Sequence, residues 1–139
     1  MKVLITGGGS QLAEMLVKTC PPDKHAVAAS RQELDVTDAD GVTRMFERRQ
    51  FRLVINCAAY TAVDEAESQR DRAFDVNAAG AENIARAARQ TGARMIQIST
   101  DFVFGGQRAT PYRVDDEAAP VNIYGASKLA GEIRASDVH

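Results

Sequence analysis

Four short runs of β-branched or apolar residues recur along the chain, Lys2 to Thr6, His25 to Ala29, Leu53 to Asn56 and Arg94 to Ser99, each bounded by polar or turn-forming residues. Runs of this kind predict strands. Between them the apolar positions take helical spacing. Leu12, Met15, Leu16 and Thr19 follow the first run, and Val42, Met45 and Phe46 follow the second behind a cap expected at Thr37 or Asp38. The longest predicted helix runs from about Ser68 to Gln90. Ala73, Phe74, Val76, Asn77, Ala81, Ile84, Ala85 and Ala88 give it a broad face for burial, and Gly92 stands just beyond as a stop. After Ser99 comes a turn-rich loop through Gly105, Gly106 and Pro111, an acidic stretch Asp115-Asp116-Glu117, and a last helix predicted from about Asn122. Strand and helix therefore alternate, which implies an α/β fold with a parallel, doubly wound, Rossmann-type sheet.

Composition narrows the function classes. At 139 residues the chain has the size of one domain, and 45% hydrophobic with 26% charged residues is the balance of a globular protein. Its 17 basic and 19 acidic residues are scattered, so no basic stripe offers itself to a nucleic-acid backbone, and nucleic acid is not an expected partner. The three apolar residues Val3-Leu4-Ile5 are too few for a signal-peptide core, and no run approaches the roughly 20 apolar residues of a membrane span. A cytoplasmic location without membrane partners is expected. Cys20 and Cys57 lack metal-ligand spacing, and His25 and His139 do not cluster with them, so buried or idle thiols are expected and no metal site.

The first strand runs into Thr6-Gly7-Gly8-Gly9-Ser10-Gln11-Leu12-Ala13. A glycine turn between strand and helix lets backbone N–H groups approach a pyrophosphate, although such a turn also occurs as a purely structural feature. The small-residue spacing falls on Gly7, Ser10 and Ala13. Ser10 is a departure: its Cβ would crowd a phosphate while its hydroxyl would donate to one. At the end of the second strand, where an acid commonly reads the adenosine ribose, the chain has Ser30-Arg31. A guanidinium suits a 2′-phosphate, which favours NADPH over NADH, and a solvated surface Arg is the alternative. Late in the chain Thr100 stands at a strand end, and Tyr124 and Lys128 lie four residues apart, on one face of a helix. A free phenol ionises near pH ~10, and an ammonium beside it favours the phenolate. That is a general acid with its tuning group.

Laid out in order, these segments resemble the dTDP-4-dehydrorhamnose reductase family of extended short-chain dehydrogenase/reductases. The resemblance rests on Leu4-Ile5-Thr6-Gly7, Gln11-Leu12, Leu34-Asp35-Val36-Thr37-Asp38, the run Val54 to Asp64 containing Ala58-Ala59-Tyr60-Thr61-Ala62-Val63, Ser99-Thr100-Asp101-Phe102-Val103-Phe104, and the run Pro120 to Glu132 containing Tyr124-Gly125-Ala126-Ser127-Lys128. It implies that Ser10, Gln11 and Leu12 lie at the pyrophosphate and Asp35 with Val36 at the adenine, with Ala59, Tyr60, Thr61 and Ile98 along the rest of the cofactor path. It further implies that Thr100 and Asp101 contact the sugar, that Tyr124 gives a proton to the C4 carbonyl oxygen of a dTDP-linked dehydro sugar, and that Lys128 holds the nicotinamide ribose. Phe102 stands where such enzymes often have Tyr.

Family members are about twice this long. The chain thus reads as the cofactor-binding domain, residues 1–139, incomplete before the later strands and a substrate domain that would supply most of the sugar pocket and any dimer or Mg2+ contacts. A strand order 3-2-1-4 is expected, with Arg94 to Ser99 at a bare edge open to a homodimer or other association and the last helix loosely held. Two rivals share the motifs: an epimerase or dehydratase acting on another nucleotide sugar, and a non-catalytic relative of the type of the methionine adenosyltransferase regulatory subunit.

Overall fold

The computed structural model describes residues 1–139. Strands β1 (Lys2–Thr6), β2 (His25–Ala29), β3 (Leu53–Asn56) and β4 (Arg94–Gln97) form one parallel sheet. Helices α1 (Gln11–Lys18), α2 (Ala39–Arg49), α3 (Val63–Ala66), α4 (Arg70–Phe74), α5 (Gly80–Thr91) and α6 (Ile123–Val138) alternate with the strands or follow them. The doubly wound α/β class read from the sequence is the one observed.

The strand order is not. It is β2-β1-β3-β4, so β1 and not β2 lies in the middle of the first three strands. Burial explains the difference. Val42 and Phe46 of α2 pack with Leu4 of β1, Val54 of β3 and Ile84 of α5 in one core cluster. The connection from β2 therefore recrosses β1 and delivers β3 to its free edge. The stretch after β2 contributes buried Leu34 and Val36 to the same cluster from turn and irregular backbone. On the opposite face α1 covers a smaller cluster of Val3, Ile5 and Ala13. Leu12 and Met15, expected on the buried face of α1, are instead 43% and 51% exposed, and Leu16 packs in their place.

Winding reverses between β1 and β3, so their two outgoing loops diverge and leave a crevice at the carboxyl ends of the strands, where ligands bind in open α/β sheets. Register keeps these ends level: Thr6 is opposite both Ala29 and Asn56, and Asn56 is opposite Gln97. As expected, β4 lies at an edge, although it ends at Gln97, two residues early.

The long predicted helix is present in three joined pieces. Between α4 and α5, residues Asp75–Ala79 widen into a π-helical turn that carries buried Asn77. Gly92 ends α5 at φ 69°, the left-handed conformation expected of a stop. Asp38, not Thr37, caps α2, and Asn122 caps α6 by accepting from Gly125 N–H at 2.7 Å. The expectation of a loosely held α6 is also corrected. Its residues Tyr124, Gly125, Ser127, Lys128, Gly131 and Ala135 are buried, and it packs along α5, α4 and the π turn.

Gly131 is the closest point of that packing, because a Cβ there would run into the Asn77 carbonyl group. Gly131→Ala is therefore expected to destabilise the fold by about 1–3 kcal/mol, the range for overpacking. An unchanged urea midpoint would refute the close approach.

Candidate active site

The site is assembled from the carboxyl ends of β1, β2 and β3 on one side and from the end of β4 with α6 on the other. The glycine turn is fitted by contact. A Cβ on Gly7, at φ 71°, would lie 2.9 Å from Cys57 and Ala58 backbone atoms, and one on Gly8 would lie 2.8 Å from Ala29 C and Ser30 N. The turn is thus wedged between the ends of β2 and β3. Gly9, at φ 91°, has open space around it. Ser10 caps α1, its Oγ accepting from Ala13 N–H at 3.3 Å, which leaves its own proton free to donate. Gln11 and Leu12 follow as the exposed first residues of α1.

A cavity of about 280 Å3 opens beside this turn. Of the candidate cofactor residues, Gly7, Arg31, Asp35, Val36, Ala59, Tyr60 and Thr61 line it, joined by Leu34, Ala58, Ala62, Arg72 and Val76. Its size and mixed lining suit a nucleotide moiety. Arg72 was not foreseen; its guanidinium lies 5.3 Å over the Tyr60 ring, and no spacing in the sequence marks it. The ribose-reading position differs from expectation in its partners. The Ser30 hydroxyl donates to Glu33 at 2.8 Å, and Arg31 Nε is paired with Asp35 at 3.2 Å. Two hydrogen bonds from Thr37, with Arg31 assisting, hold the Asp35 carboxyl below its usual range.

Across the crevice, Thr100 caps a 3₁₀ turn (Asp101–Val103), accepting from Phe102 N–H and donating to Asp101 Oδ1, each at 3.2 Å. Gly125 allows α6 to touch the Phe102 carbonyl group. The Tyr124 ring is buried edge-on against Phe102, centroids 5.6 Å apart. Lys128 is only 4% exposed, and its ammonium donates to the Ile98 carbonyl at 2.6 Å. Burial lowers the Lys128 pKa, with the Glu132 carboxylate and Cys57 opposing. Ile98, expected along the cofactor path, is thus the backbone anchor of Lys128, and Ser99 hydroxyl donates to Glu132 of the same helix.

Asn77 joins the two sides. Its Oδ1 accepts from Tyr60 N–H at 2.8 Å, while its Nδ2 donates to Tyr60 O at 3.1 Å and to Ser127 Oγ at 2.9 Å. Ser127 in turn donates to Tyr124 O at 2.7 Å. The sequence had presented Asn77 only as part of a helix face. An Asn among alanines in a buried stripe was the available signal, since a buried amide requires partners. No group of three or more His, Cys, Asp or Glu side chains is placed to hold a metal ion. No helix is long and apolar enough to cross a membrane.

A parallel sheet with a glycine turn at its switch point, and a Tyr-x-x-x-Lys helix facing it, defines a Rossmann-type protein of the short-chain dehydrogenase/reductase class. The chain belongs to the family described as the RmlD substrate binding domain, which it matches over residues 1–137. It is 47% identical over 133 residues to a dTDP-4-dehydrorhamnose reductase of Mycolicibacterium smegmatis, covering 94% of this chain and 40% of that protein. A Mycobacterium tuberculosis protein of the same name is 43% identical over 136 residues, covering 94% and 44%. Among solved structures, a dTDP-4-dehydrorhamnose reductase from Bacillus anthracis in complex with NADP superposes with a TM-score of 0.97 at 40% identity, covering 99% of this chain and 50% of that one. The chain spans about half the length of the curated relatives it matches.

Removing the Asn77 side chain strips the part-buried Tyr60 N–H of its acceptor. Asn77→Ala should cost about 2 kcal/mol in urea denaturation, and an unaltered midpoint would show the bridge to be idle. Lys128 gives a pH-dependent test. Its folded pKa lies below the ordinary 10.5, so between the two values the folded chain holds fewer protons than the unfolded one. The cost of the buried ammonium is full below the folded value and is relieved as pH rises towards 10.5. Relative to the parent, the urea midpoint of Lys128→Met should therefore fall as pH rises towards 10.5, on top of a pH-independent loss of the Ile98 hydrogen bond. A relative midpoint that rises with pH would contradict the burial argument.

Proposed function

We propose that this chain is the cofactor-binding and proton-donating part of an NADPH-dependent reductase that acts on the C4 ketone of a dTDP-linked dehydro sugar, in dTDP-rhamnose biosynthesis. The observation that carries the reading is the seating of Tyr124 and Lys128. They stand one turn apart on a buried face of α6, Tyr124 edge-on against Phe102 and Lys128 tied to the Ile98 carbonyl. The reductase relatives and the NADP complex of the Bacillus anthracis protein support the substrate and the cofactor. NADH is the second nucleotide of the same reading.

In this reading Gly7 to Leu12 receive the pyrophosphate at the α1 N-terminus, and the cavity lined by Asp35, Val36, Ala59, Tyr60 and Thr61 receives the adenosine half. The reduced nicotinamide supplies hydride to the carbonyl carbon when bound. Thr100 donates a hydrogen bond to the carbonyl oxygen, and Asp101 meets the sugar hydroxyls. Tyr124 transfers its phenolic proton to that oxygen, so that the ketone becomes an alcohol. Lys128, fixed by the Ile98 carbonyl, uses its remaining ammonium protons on the ribose hydroxyls beside the nicotinamide. The free edge of β4 is where further strands or a second copy would join.

Tyr124→Phe keeps the ring against Phe102 and removes only the proton. In the chain extended to its relatives' length and assayed with NADPH and dTDP-4-dehydrorhamnose, kcat should fall by about 100-fold or more, with NADPH affinity nearly unchanged. Retained turnover would remove Tyr124 from the mechanism.

A further inference from the structure

The end of β2 carries two opposite charges with different fates. Arg31 is paired with Asp35, while the ion pairs of the chain leave Glu33 out. Glu33 Oε2 instead accepts from Ser30 N–H at 2.9 Å and from Ser30 Oγ at 2.8 Å, which sets its carboxylate on the first residue after β2. The same Ser30 N lies 2.8 Å from where a Cβ of Gly8 would stand, and Gly8 N–H donates to Ala29 O at 2.7 Å. The carboxylate is thus fastened beside the glycine turn. It lines a second cleft, of about 410 Å3, that meets the nucleotide cavity through the shared residues Arg31, Leu34 and Asp35. In a dinucleotide fold a free 2′-hydroxyl is read by an acid at this place and a 2′-phosphate by an arginine.

Resting on the cofactor reading above, we infer that Glu33 is a specificity-determining residue, a carboxylate held at the adenosine ribose that opposes a 2′-phosphate and offsets the attraction of Arg31. The acid that is absent from the strand end itself is returned from three residues downstream. Its fixed position is what gives it effect, because a freely rotating surface Glu would turn away from a phosphate. Ser30 N–H and O–H hold one oxygen of Glu33, and the other is left to accept from a ribose hydroxyl. The competing account is that Ser30 and Glu33 only close the local turn, in which Leu34 N–H donates to Ser30 O at 2.9 Å.

Fluorescence titration of the chain with NADPH and with NADH separates the two accounts. Neutralising one charge near a phosphate dianion should raise the NADPH-over-NADH affinity ratio of Glu33→Gln about tenfold. Glu33→Asp, which keeps the charge, should stay near the parent ratio, and Arg31→Ala should lower the ratio. If Glu33→Gln weakens both nucleotides equally, or leaves the ratio unmoved, the carboxylate is only a turn closure and the inference is overturned. A parent chain that bound neither nucleotide would overturn the cofactor reading itself, and this inference with it.

Discussion

The amide side chain of Asn77 is the point on which the site depends. It lies on the π turn, 2% exposed, and its three hydrogen bonds reach the backbone of Tyr60 and the hydroxyl of Ser127. Tyr60 belongs to the wall of the nucleotide cavity, and Ser127 lies between Tyr124 and Lys128 on α6. Ser127 passes the constraint to the Tyr124 carbonyl. In a low-dielectric interior such a connected polar set is strong when complete and costly when broken. One side chain therefore couples the wall of the cavity to the seat of Tyr124. Gly131, against the Asn77 carbonyl, and Gly125, against the Phe102 carbonyl, are what allow α6 to come near enough.

A second polar set keeps the strand ends level. Thr6 Oγ1 donates to Asn56 Oδ1 and accepts from Ala58 N–H at 3.1 Å, and Asn56 Nδ2 donates to Gln97 Oε1 at 2.8 Å. These bonds run across β1, β3 and β4 just below the crevice. A one-residue slip of β3 would turn Asn56 to the opposite face and withdraw the backbone that Gly7 touches. The buried polar residues at the ends of apolar strands thus serve register, and register sets the shape of the glycine turn.

What was legible in the sequence follows the range of the forces involved. Strand positions, the Gly92 stop, the Asn122 start and the Tyr124/Lys128 pair are set by local pattern, and local pattern is what a sequence displays. Strand order depends on where Val42 and Phe46 find burial, a contact with β1 and β3 that no spacing within α2 reveals. Leu12 and Met15 misled for a related reason: α1 covers only a narrow strip of sheet, so small Ala13 takes the central contact. Ser30 and Arg31 were legible as residue types but not as partners, because Glu33 and Asp35 engage them first. The Ser30-to-Glu33 spacing was a readable signal of that engagement. Arg72 offered none.

The position of α6 bears on how much of the chemistry this chain carries by itself. Two independent ties hold the helix: Asn77 through Ser127 near its first turns, and the end of β4 through the Ile98 carbonyl on Lys128 and Ser99 on Glu132. Both ties are made within residues 1–139, so the seat of Tyr124 and Lys128 is fixed by the π turn and the end of β4 of this chain. The outer side of β4 is different in kind. Ile96 is 47% exposed there, on an edge strand. On the proposed reading the division of labour is geometric: this half would set the reacting end of a nucleotide, and the open side beyond Thr100 would read the identity of the sugar.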